Sequence, residues 1–163
     1  MRGLLPANGV YDLRSIESIQ GITIHWTASP VASGVAAVGH IAREQLKRVA
    51  DPNTGEKFRA IAYTLIVDGA GQLYLCHDLK VRTWHSGARV NGISRNVSHV
   101  GVCYIGDVEP NEAQLMGLKK AIEWVRDSIA LDTAWPLAIE GHRDAPYATA
   151  CPGPTWPAWK SRL

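Results

Sequence analysis

Short apolar runs alternate along the chain with longer segments that have helical periodicity. The sequence GITIHW at Gly21–Trp26 is short, rich in β-branched residues and apolar on both faces, which predicts a buried strand. Residues 97–106 predict a second strand of this kind. In residues 60–76, two β-rich runs flank the turn sequence Asp-Gly-Ala-Gly at 68–71, and this pattern predicts a hairpin.

Two other segments place apolar residues at helical spacing. The first follows Ser33, which we interpret as its N-cap, and the second covers residues 111–131. Residues 51–57 predict a loop, the sequence PLAIEGH predicts a short strand that ends at His142, and residues 154–163 predict a short closing helix. The inner stripes of the two long helices are predicted to be Val35, Val38, Ala42, Leu46 and Val49, and Leu115, Leu118, Ile122, Val125 and Ile129. Strands interleaved with helices, together with one hairpin, predict an α/β fold in which a central mixed β-sheet is flanked by helices.

Length, composition and charge restrict the classes of protein to which this chain can belong. A chain of 163 residues with 46% hydrophobic and 20% charged residues is typical of one globular domain, 1–163, without a separate wall-binding domain. The formal net charge of +2 is too small to indicate a nucleic-acid partner, although a slightly basic surface suits an acidic polymer. No segment is apolar enough for membrane insertion, and the N-terminal sequence does not resemble a signal peptide. We therefore expect synthesis in the cytoplasm. We also expect a monomeric protein.

A histidine and a cysteine lie close together in a segment typical of a loop. The sequence GHRDAPYATACPG places His142 and Cys151 nine positions apart. His25 lies near the end of the first predicted strand, and strand ends in open α/β sheets border the binding crevice. Two histidines and one cysteine would leave a fourth zinc position for water, which is typical of a catalytic site. An odd number of cysteines, three, argues against a disulfide framework.

Five segments occur in an order that is characteristic of one family. They are ITIHWTAS, AYTLIVDGAGQLY, TWHSG, VGVCYIGD and GHRDAPYATACPG. Together they resemble the zinc-dependent N-acetylmuramoyl-L-alanine amidases of the amidase-2 type, a group that includes phage lytic amidases and the animal peptidoglycan recognition proteins. The resemblance covers residues 20–155, which is nearly the whole chain.

The resemblance implies a metal centre and two catalytic side chains. His25, His142 and Cys151 match the three protein ligands of a single Zn²⁺ ion. Tyr63 matches the catalytic tyrosine of the family. Thr149 matches a position that is lysine in some phage members and threonine in catalytic recognition proteins. The resemblance does not identify the general base.

The resemblance and the neighbouring sequence also suggest substrate contacts. His85 in TWHSG matches a histidine that lines the substrate groove. Trp26 and Trp84 each adjoin a predicted site histidine and could contact sugar or peptide. Residues 80–95 are basic and contain no acidic residue, so Arg82 and Arg89 are candidates to bind the carboxylates of a stem peptide.

Two positions differ from the cytoplasmic recycling amidases of the superfamily. Those enzymes tend to have glutamates in the strand where this chain has Cys103 and Ile105, and an aspartate ligand in place of Cys151. Both differences move the chain toward the lytic and recognition-protein branch. Together with the compact length and the absence of a signal-peptide pattern, they lead us to expect a phage or prophage endolysin that reaches bacterial peptidoglycan after release from the host cytoplasm. It would hydrolyse the amide between N-acetylmuramic acid and L-alanine. The alternatives are a non-catalytic peptidoglycan-binding module and a recycling amidase that acts on soluble muropeptides.

Overall fold

Helices pack against both faces of a five-stranded mixed sheet in the computed structural model, which describes residues 5–129, 137–146 and 148–163. The strands of this part of the chain are β1 (Gly21–Trp26), β2 (Val49–Asp51), β3 (Glu56–Lys57), β4 (Leu65–Val67), β5 (Leu73–Leu75), β6 (Arg89–Val90), β7 (Ile93–Ser94), β8 (His99–Tyr104) and β9 (Ala138–Gly141). The α-helices are α1 (Val35–Leu46), α2 (Arg95–Ser98), α3 (Glu112–Ile129) and α4 (Trp156–Trp159). Short 3-10 turns cover Ile16–Ser18, His142–Asp144 and Lys160–Arg162.

The sheet has the strand order β5-β4-β8-β1-β9. β1 is an interior strand and pairs in parallel with both β8 and β9, and β4 also runs parallel to β8. β5 is antiparallel to β4, which confirms the hairpin predicted within residues 60–76. The parallel strands therefore all end at the same edge of the sheet. Residues at the end of these strands, or directly after it, are brought together at that edge.

The main core lies between the sheet and α3. Ile22 and Ile24 of β1 are fully buried in this core, which also contains α3 residues of the predicted stripe. Burial of each such aliphatic side chain contributes about 1.5–3 kcal/mol. Because side chains alternate along a strand, Thr23 and His25 lie on the opposite face of β1. The core residues that α3 contributes are Leu115, Leu118, Ala121, Ile122 and Val125.

α1 covers part of the opposite face. Its residues Val38 and Ala42 pack with Ile66 of β4, Cys103 of β8 and Ile105. Among the described residues, this second core cluster includes none from β1 or β9. The part of this face that carries His25 therefore lies beside α1 and not beneath it.

The first helix differs from the prediction at both ends. α1 begins at Val35 with Gly34 as its N-cap, so Ser33 is not the cap. Gly34 has a φ of 87°, a conformation that favours glycine, and its N–H donates to the Asp68 carboxylate over 2.7 Å. Val35 is 58% exposed, and Val49 is 50% exposed and lies in β2, because the helix ends before it. Neither valine belongs to the inner stripe.

Several other boundaries also differ. The predicted loop at 51–57 contains parts of the β2–β3 hairpin, and the predicted strand at 97–106 is β8 preceded by the short helix α2. The β6–β7 hairpin was not predicted. The long second helix is confirmed as α3, although residues 130 and 131 lie outside the described residues. The predicted closing helix is confirmed as α4. No helix in the described part of the chain combines the length and apolar character needed to cross a membrane.

Candidate functional site

Two histidines meet at the edge where the parallel strands end. His25 is in β1, and His142 directly follows β9 at the start of a 3-10 turn. The pairing of Ile24 with Gly141 brings the residues that follow them side by side. The ring centroids of His25 and His142 are 4.6 Å apart. The strand register therefore brings the backbone of these two residues together.

The loop after β9 brings Cys151 to the same point. The Arg143 backbone N–H donates to the Cys151 carbonyl over 2.8 Å, and the Arg143 guanidinium donates to the Gly153 carbonyl over 3.0 Å. The Trp26 backbone N–H points to the Cys151 sulfur. As a result, Cys151 Sγ lies 3.5 Å from His25 Nδ1.

Asp144 stabilises the turn that carries His142. Its Oδ2 accepts hydrogen bonds from the Gly141 N–H at 2.9 Å, from Trp156 Nε1 at 2.8 Å and from Lys160 Nζ at 2.9 Å. These bonds attach the end of β9 to the C-terminal helix. Asp144 therefore positions the backbone at His142.

The three candidate ligands fit a zinc ion. His25, His142 and Cys151 each offer one ligand atom, and these atoms all lie within 4.8 Å of one another. In a tetrahedral zinc centre, a nitrogen and a sulfur ligand are about 3.6 Å apart, as follows from the usual bond lengths. The 3.5 Å between His25 Nδ1 and Cys151 Sγ matches this edge. Imidazole and thiolate together suit zinc, and the group contains no fourth His, Cys, Asp or Glu within the described residues.

Burial sets the protonation states of the three side chains. It lowers the pKa of His25 far below its usual range and lowers the pKa of His142 to about 4. It raises the pKa of the Cys151 thiol to about 12, an effect that the Trp26 N–H opposes. Both imidazoles are therefore neutral and ready to bind a metal, whereas Cys151 must lose a proton first.

Tyr63 lies beside this cluster. Its ring centroid is 5.2 Å from that of His25, and its phenol neighbours the thiols of Cys103 and Cys151. Burial raises the pKa of the phenol well above its usual value, so the hydroxyl stays protonated and can donate a hydrogen bond. Cys103 has no part in the site that the sequence predicts. Its position beside the site follows from the register of the sheet, because His25 of β1 pairs with Cys103 of β8.

Thr149 lies in the same loop as Cys151. Its hydroxyl oxygen accepts the Cys151 N–H over 3.2 Å. An accepted bond of this kind leaves the hydroxyl hydrogen of Thr149 available for donation. The residue therefore supports the loop and also offers one neutral donor.

His85 lies within the protein, directly beside His25. It is 5% exposed, its Nδ1 is 3.1 Å from His25 Nε2, and its Nε2 is 3.1 Å from the His99 carbonyl oxygen. A Cβ atom on Gly101 of β8 would lie 2.6 Å from the His85 ring, so the glycine leaves the space that this ring fills. Burial lowers the pKa of His85 to about 3, which keeps the ring neutral.

The two tryptophans proposed as substrate contacts pack against the protein itself. Trp26 lies on the face of β1 opposite His25, where it packs against the main core and approaches Gly153 closely. Trp84 is 5.4 Å from the Tyr11 ring, and the Arg59 guanidinium lies 4.8 Å from the Trp84 ring centroid. Residues adjacent to a site histidine in sequence point away from it here, as expected for extended backbone.

The basic segment is also partly engaged within the chain. Arg82 forms an ion pair with Asp12, and its backbone N–H bonds to the Asp12 carbonyl. Arg89 is exposed on β6 and donates to the Gly92 carbonyl over 3.1 Å. Of the two arginines proposed to bind a stem peptide, Arg82 therefore already has a carboxylate partner.

A largely buried ion pair beside the cluster was not predicted. Arg95 and Glu140 are 2.9 Å apart, and their side chains are 16% and 13% exposed. The Thr23 hydroxyl is 3.3 Å from the same carboxylate. Glu140 pairs with Thr23 of β1, which lies on the same face of the strand as His25, so strand alternation is the signal that could have found this pair.

Comparison with protein families gives one match over most of the chain. The family model described as N-acetylmuramoyl-L-alanine amidase (Amidase_2) matches residues 15–154. No curated protein sequence gives a significant match.

Solved structures of insect peptidoglycan recognition proteins have a similar fold. Bumblebee PGRP-SA shares 19% identity with a TM-score of 0.73, and the similarity covers 98% of this chain and 90% of that one. Wild-type Drosophila PGRP-LB shares 20% identity with a TM-score of 0.66, over 93% of this chain and 83% of that one. A tyrosine-to-phenylalanine mutant of Drosophila PGRP-LB, solved in complex with tracheal cytotoxin, shares 20% identity with a TM-score of 0.68, over 94% of this chain and 88% of that one.

Proposed function

This chain belongs to the N-acetylmuramoyl-L-alanine amidase family, and we propose that it is an active, zinc-dependent member of that family. The proposed reaction is hydrolysis of the amide bond between N-acetylmuramic acid and L-alanine in bacterial peptidoglycan. The observation that carries the proposal is the convergence of His25, His142 and Cys151, whose ligand atoms all lie within 4.8 Å of one another, with 3.5 Å between His25 Nδ1 and Cys151 Sγ. Three protein ligands are the number that a catalytic zinc site uses.

Zinc held by these residues would polarise the substrate carbonyl and make a water molecule nucleophilic near neutral pH. The Cys151 thiolate cancels one of the two zinc charges, which weakens both effects relative to three neutral ligands. Protein groups must therefore supply part of the stabilisation of the transition state. Tyr63 and Thr149 are the residues proposed to supply it.

Tyr63 is the proposed oxyanion donor. Its phenol is neutral because burial raises its pKa, and its ring packs next to His25. Negative charge develops on the carbonyl oxygen as the amide carbon becomes tetrahedral, and a hydrogen bond to that oxygen is strongest at this stage. Loss of one such donor costs about 3 kcal/mol or more in barrier height. The Thr149 hydroxyl is the second proposed donor, with its own oxygen already held by the Cys151 N–H.

The substrate proposed is polymeric cell wall. Cys151 as a ligand, and Cys103 and Ile105 in the GVCYIG segment, separate this chain from the sequence pattern of recycling amidases. We propose that the protein acts as a phage or prophage endolysin, monomeric, made in the host cytoplasm and active on the wall after release. Comparison of turnover on intact sacculi and on small anhydro-muropeptides tests this choice, because a recycling enzyme would prefer the latter.

A binding module without activity is the alternative, and it is favoured by the structural likeness to recognition proteins. Two observations support catalysis over binding alone. Cys151 is present with its sulfur within 4.8 Å of a ring nitrogen of each histidine, and Tyr63 lies beside it with its phenol protonated. A protein that only binds muropeptides needs neither a vacant zinc position nor an oxyanion donor.

Metal analysis combined with activity tests the proposal. The purified protein is expected to contain about one zinc per chain, to lose wall hydrolysis when a chelator removes the metal, and to regain it with added zinc. The Cys151→Ala variant serves as the matched control that should not recover. Full activity in the chelated protein, or a protein that binds zinc but releases no amino groups from walls, would contradict the proposal.

A further inference from the structure

Three groups form a hydrogen-bonded chain that leads into the proposed metal centre. The His99 carbonyl oxygen lies 3.1 Å from His85 Nε2, and His85 Nδ1 lies 3.1 Å from His25 Nε2. The remaining nitrogen of His25, Nδ1, faces Cys151 Sγ at 3.5 Å. Each of the four ring nitrogens of His85 and His25 thus has a partner within the protein.

A carbonyl oxygen at one end fixes the direction of every bond in this chain. A carbonyl can only accept, so His85 Nε2 must carry the ring hydrogen. A neutral imidazole has only one such hydrogen, and His85 Nδ1 is therefore an acceptor. His25 Nε2 must then be the donor in the next bond. The neutral His25 ring consequently has a bare Nδ1, which is the atom that points to Cys151.

We propose that His85 is a positioning residue that holds His25 in the tautomer whose bare Nδ1 is directed at the metal. The inference deepens the proposed zinc site and rests on it for its functional meaning. An imidazole in the other tautomer would present an N–H to the metal and could not ligate it there. His85 thus prepares His25 for zinc before the metal arrives, and it also fixes the orientation of the His25 ring.

The surroundings of His85 hold this arrangement in place. Arg14 is buried, and its guanidinium also donates to the His99 carbonyl, so that oxygen accepts from two side chains, those of Arg14 and His85. Arg14 Nε donates to the Leu79 carbonyl over 2.9 Å. Gly101 leaves room for the His85 ring against β8.

The same geometry argues against a substrate or general-base role for His85. A groove residue needs a free polar atom at the surface, whereas both nitrogens of His85 contact protein atoms and the residue is 5% exposed. A general base must accept a proton from the attacking water. The acceptor nitrogen of His85 is already used by His25. The residue therefore acts through His25.

The tautomers can be read directly in the metal-free protein. Nitrogen-15 NMR of the histidine side chains at neutral pH distinguishes a protonated ring nitrogen from a bare one. We expect both His25 and His85 to carry hydrogen on Nε2 and to have a bare Nδ1. A hydrogen on Nδ1 of either residue would overturn the proposal. This measurement needs no zinc and no substrate.

Variants at His85 test the consequence for the metal. His85→Leu removes the acceptor and is expected to weaken zinc binding by roughly 10- to 100-fold, the usual effect of losing such a partner. His85→Asn retains a carbonyl oxygen near the position of Nδ1 and should lose distinctly less affinity. His40→Asn, on the exposed face of α1, is the matched control and should bind zinc like the unsubstituted protein. Zinc affinity is measured by competition with a chelator.

A purely structural role for His85 predicts a different pattern. With a purely structural role, the substitutions would lower the melting temperature of the metal-free protein. A folded His85→Leu protein would nevertheless bind zinc as tightly as the unsubstituted protein. That result would overturn the proposal. If His85→Leu does not fold, the proposal is still tested by the NMR spectrum of the unsubstituted protein and by the zinc affinity of His85→Asn. Failure of the proposed function gives a different result. If the unsubstituted protein binds no zinc, the proposed metal site is wrong, whereas the tautomers of His25 and His85 in the metal-free protein still test the proposal for His85.

Discussion

His25 Nδ1 and Cys151 Sγ lie 3.5 Å apart although 126 positions separate the two residues in the chain. β1 places the histidine at the carboxyl edge of the sheet, and the loop after β9 returns the cysteine to the same edge. The separation matches that expected for two ligands of one tetrahedral zinc ion. Both side chains are therefore expected to bind the same metal.

Replacement of the thiol should abolish the metal site. We expect Cys151→Ala to lose most of its zinc affinity and its wall hydrolysis, because two imidazoles alone bind zinc weakly. Zinc content after dialysis and hydrolysis of purified walls are the measurements. Cys76→Ala removes another buried thiol, outside the cluster, and should retain both properties. Full activity in Cys151→Ala would remove Cys151 from the ligand set.

Loss of the Tyr63 hydroxyl should affect the chemical step and leave the metal in place. We expect Tyr63→Phe to contain zinc at the normal level and to lose roughly 10²- to 10³-fold in kcat, as for removal of an oxyanion donor. Steady-state rates on a soluble muropeptide measure this. Tyr74→Phe is the matched control, since its hydroxyl contacts Asp68 in the β4–β5 hairpin. An unchanged rate in Tyr63→Phe would reduce the tyrosine to a packing role.

Zinc binding should strengthen as the pH rises. Burial raises the pKa of the Cys151 thiol to about 12 in the metal-free protein, whereas His142, with a pKa of about 4, is already neutral. Zinc therefore displaces about one proton, and its affinity should rise about tenfold per pH unit between about pH 6 and 8. Titration calorimetry in buffers of different ionisation enthalpy counts the released proton. A pH-independent affinity over this range would disagree with a protonated, buried thiol.

The metal-free protein should lose stability as the pH falls below about 6.5. Burial lowers the pKa of His85 to about 3 and that of His99 and His142 to about 4, so below pH 6.5 these rings stay neutral when folded and become charged when unfolded. Their contribution to stability is complete above the unfolded pKa of about 6.5 and is lost as the pH falls toward the folded values. Urea unfolding at about pH 7 and about pH 5, with the chelator present, measures the difference. Equal stability at both values would show that the rings are not buried in neutral form.

The sequence predicts best those parts whose apolar residues form a clear local pattern. β1 follows from a short run that is apolar on both faces, α3 follows from apolar residues at helical spacing, and the β4–β5 hairpin follows from its turn residues. The proximity of His25 and His142 follows from one further fact, that both come at the ends of strands in a parallel sheet. These features depend on local sequence and a general rule of topology.

Contacts between distant segments could not be predicted in this way. Trp84 packs with Tyr11 and Arg59, and Arg82 pairs with Asp12, because the N-terminal segment runs past these residues. The sequence around each residue shows its chemistry but not the partner that folding supplies. Trp26 and Trp84 adjoin His25 and His85 in the sequence, but the sequence does not show which parts of the protein their rings pack against.

The most direct test of the account is to incubate the purified protein with bacterial cell walls and to count the new chemical groups. Hydrolysis of the N-acetylmuramic acid to L-alanine amide releases L-alanine amino groups and creates no reducing sugar ends. We predict amino groups without reducing ends, dependent on zinc and absent in Cys151→Ala. Binding to walls with neither product, or the appearance of reducing ends, would contradict an amidase centred on His25, His142 and Cys151.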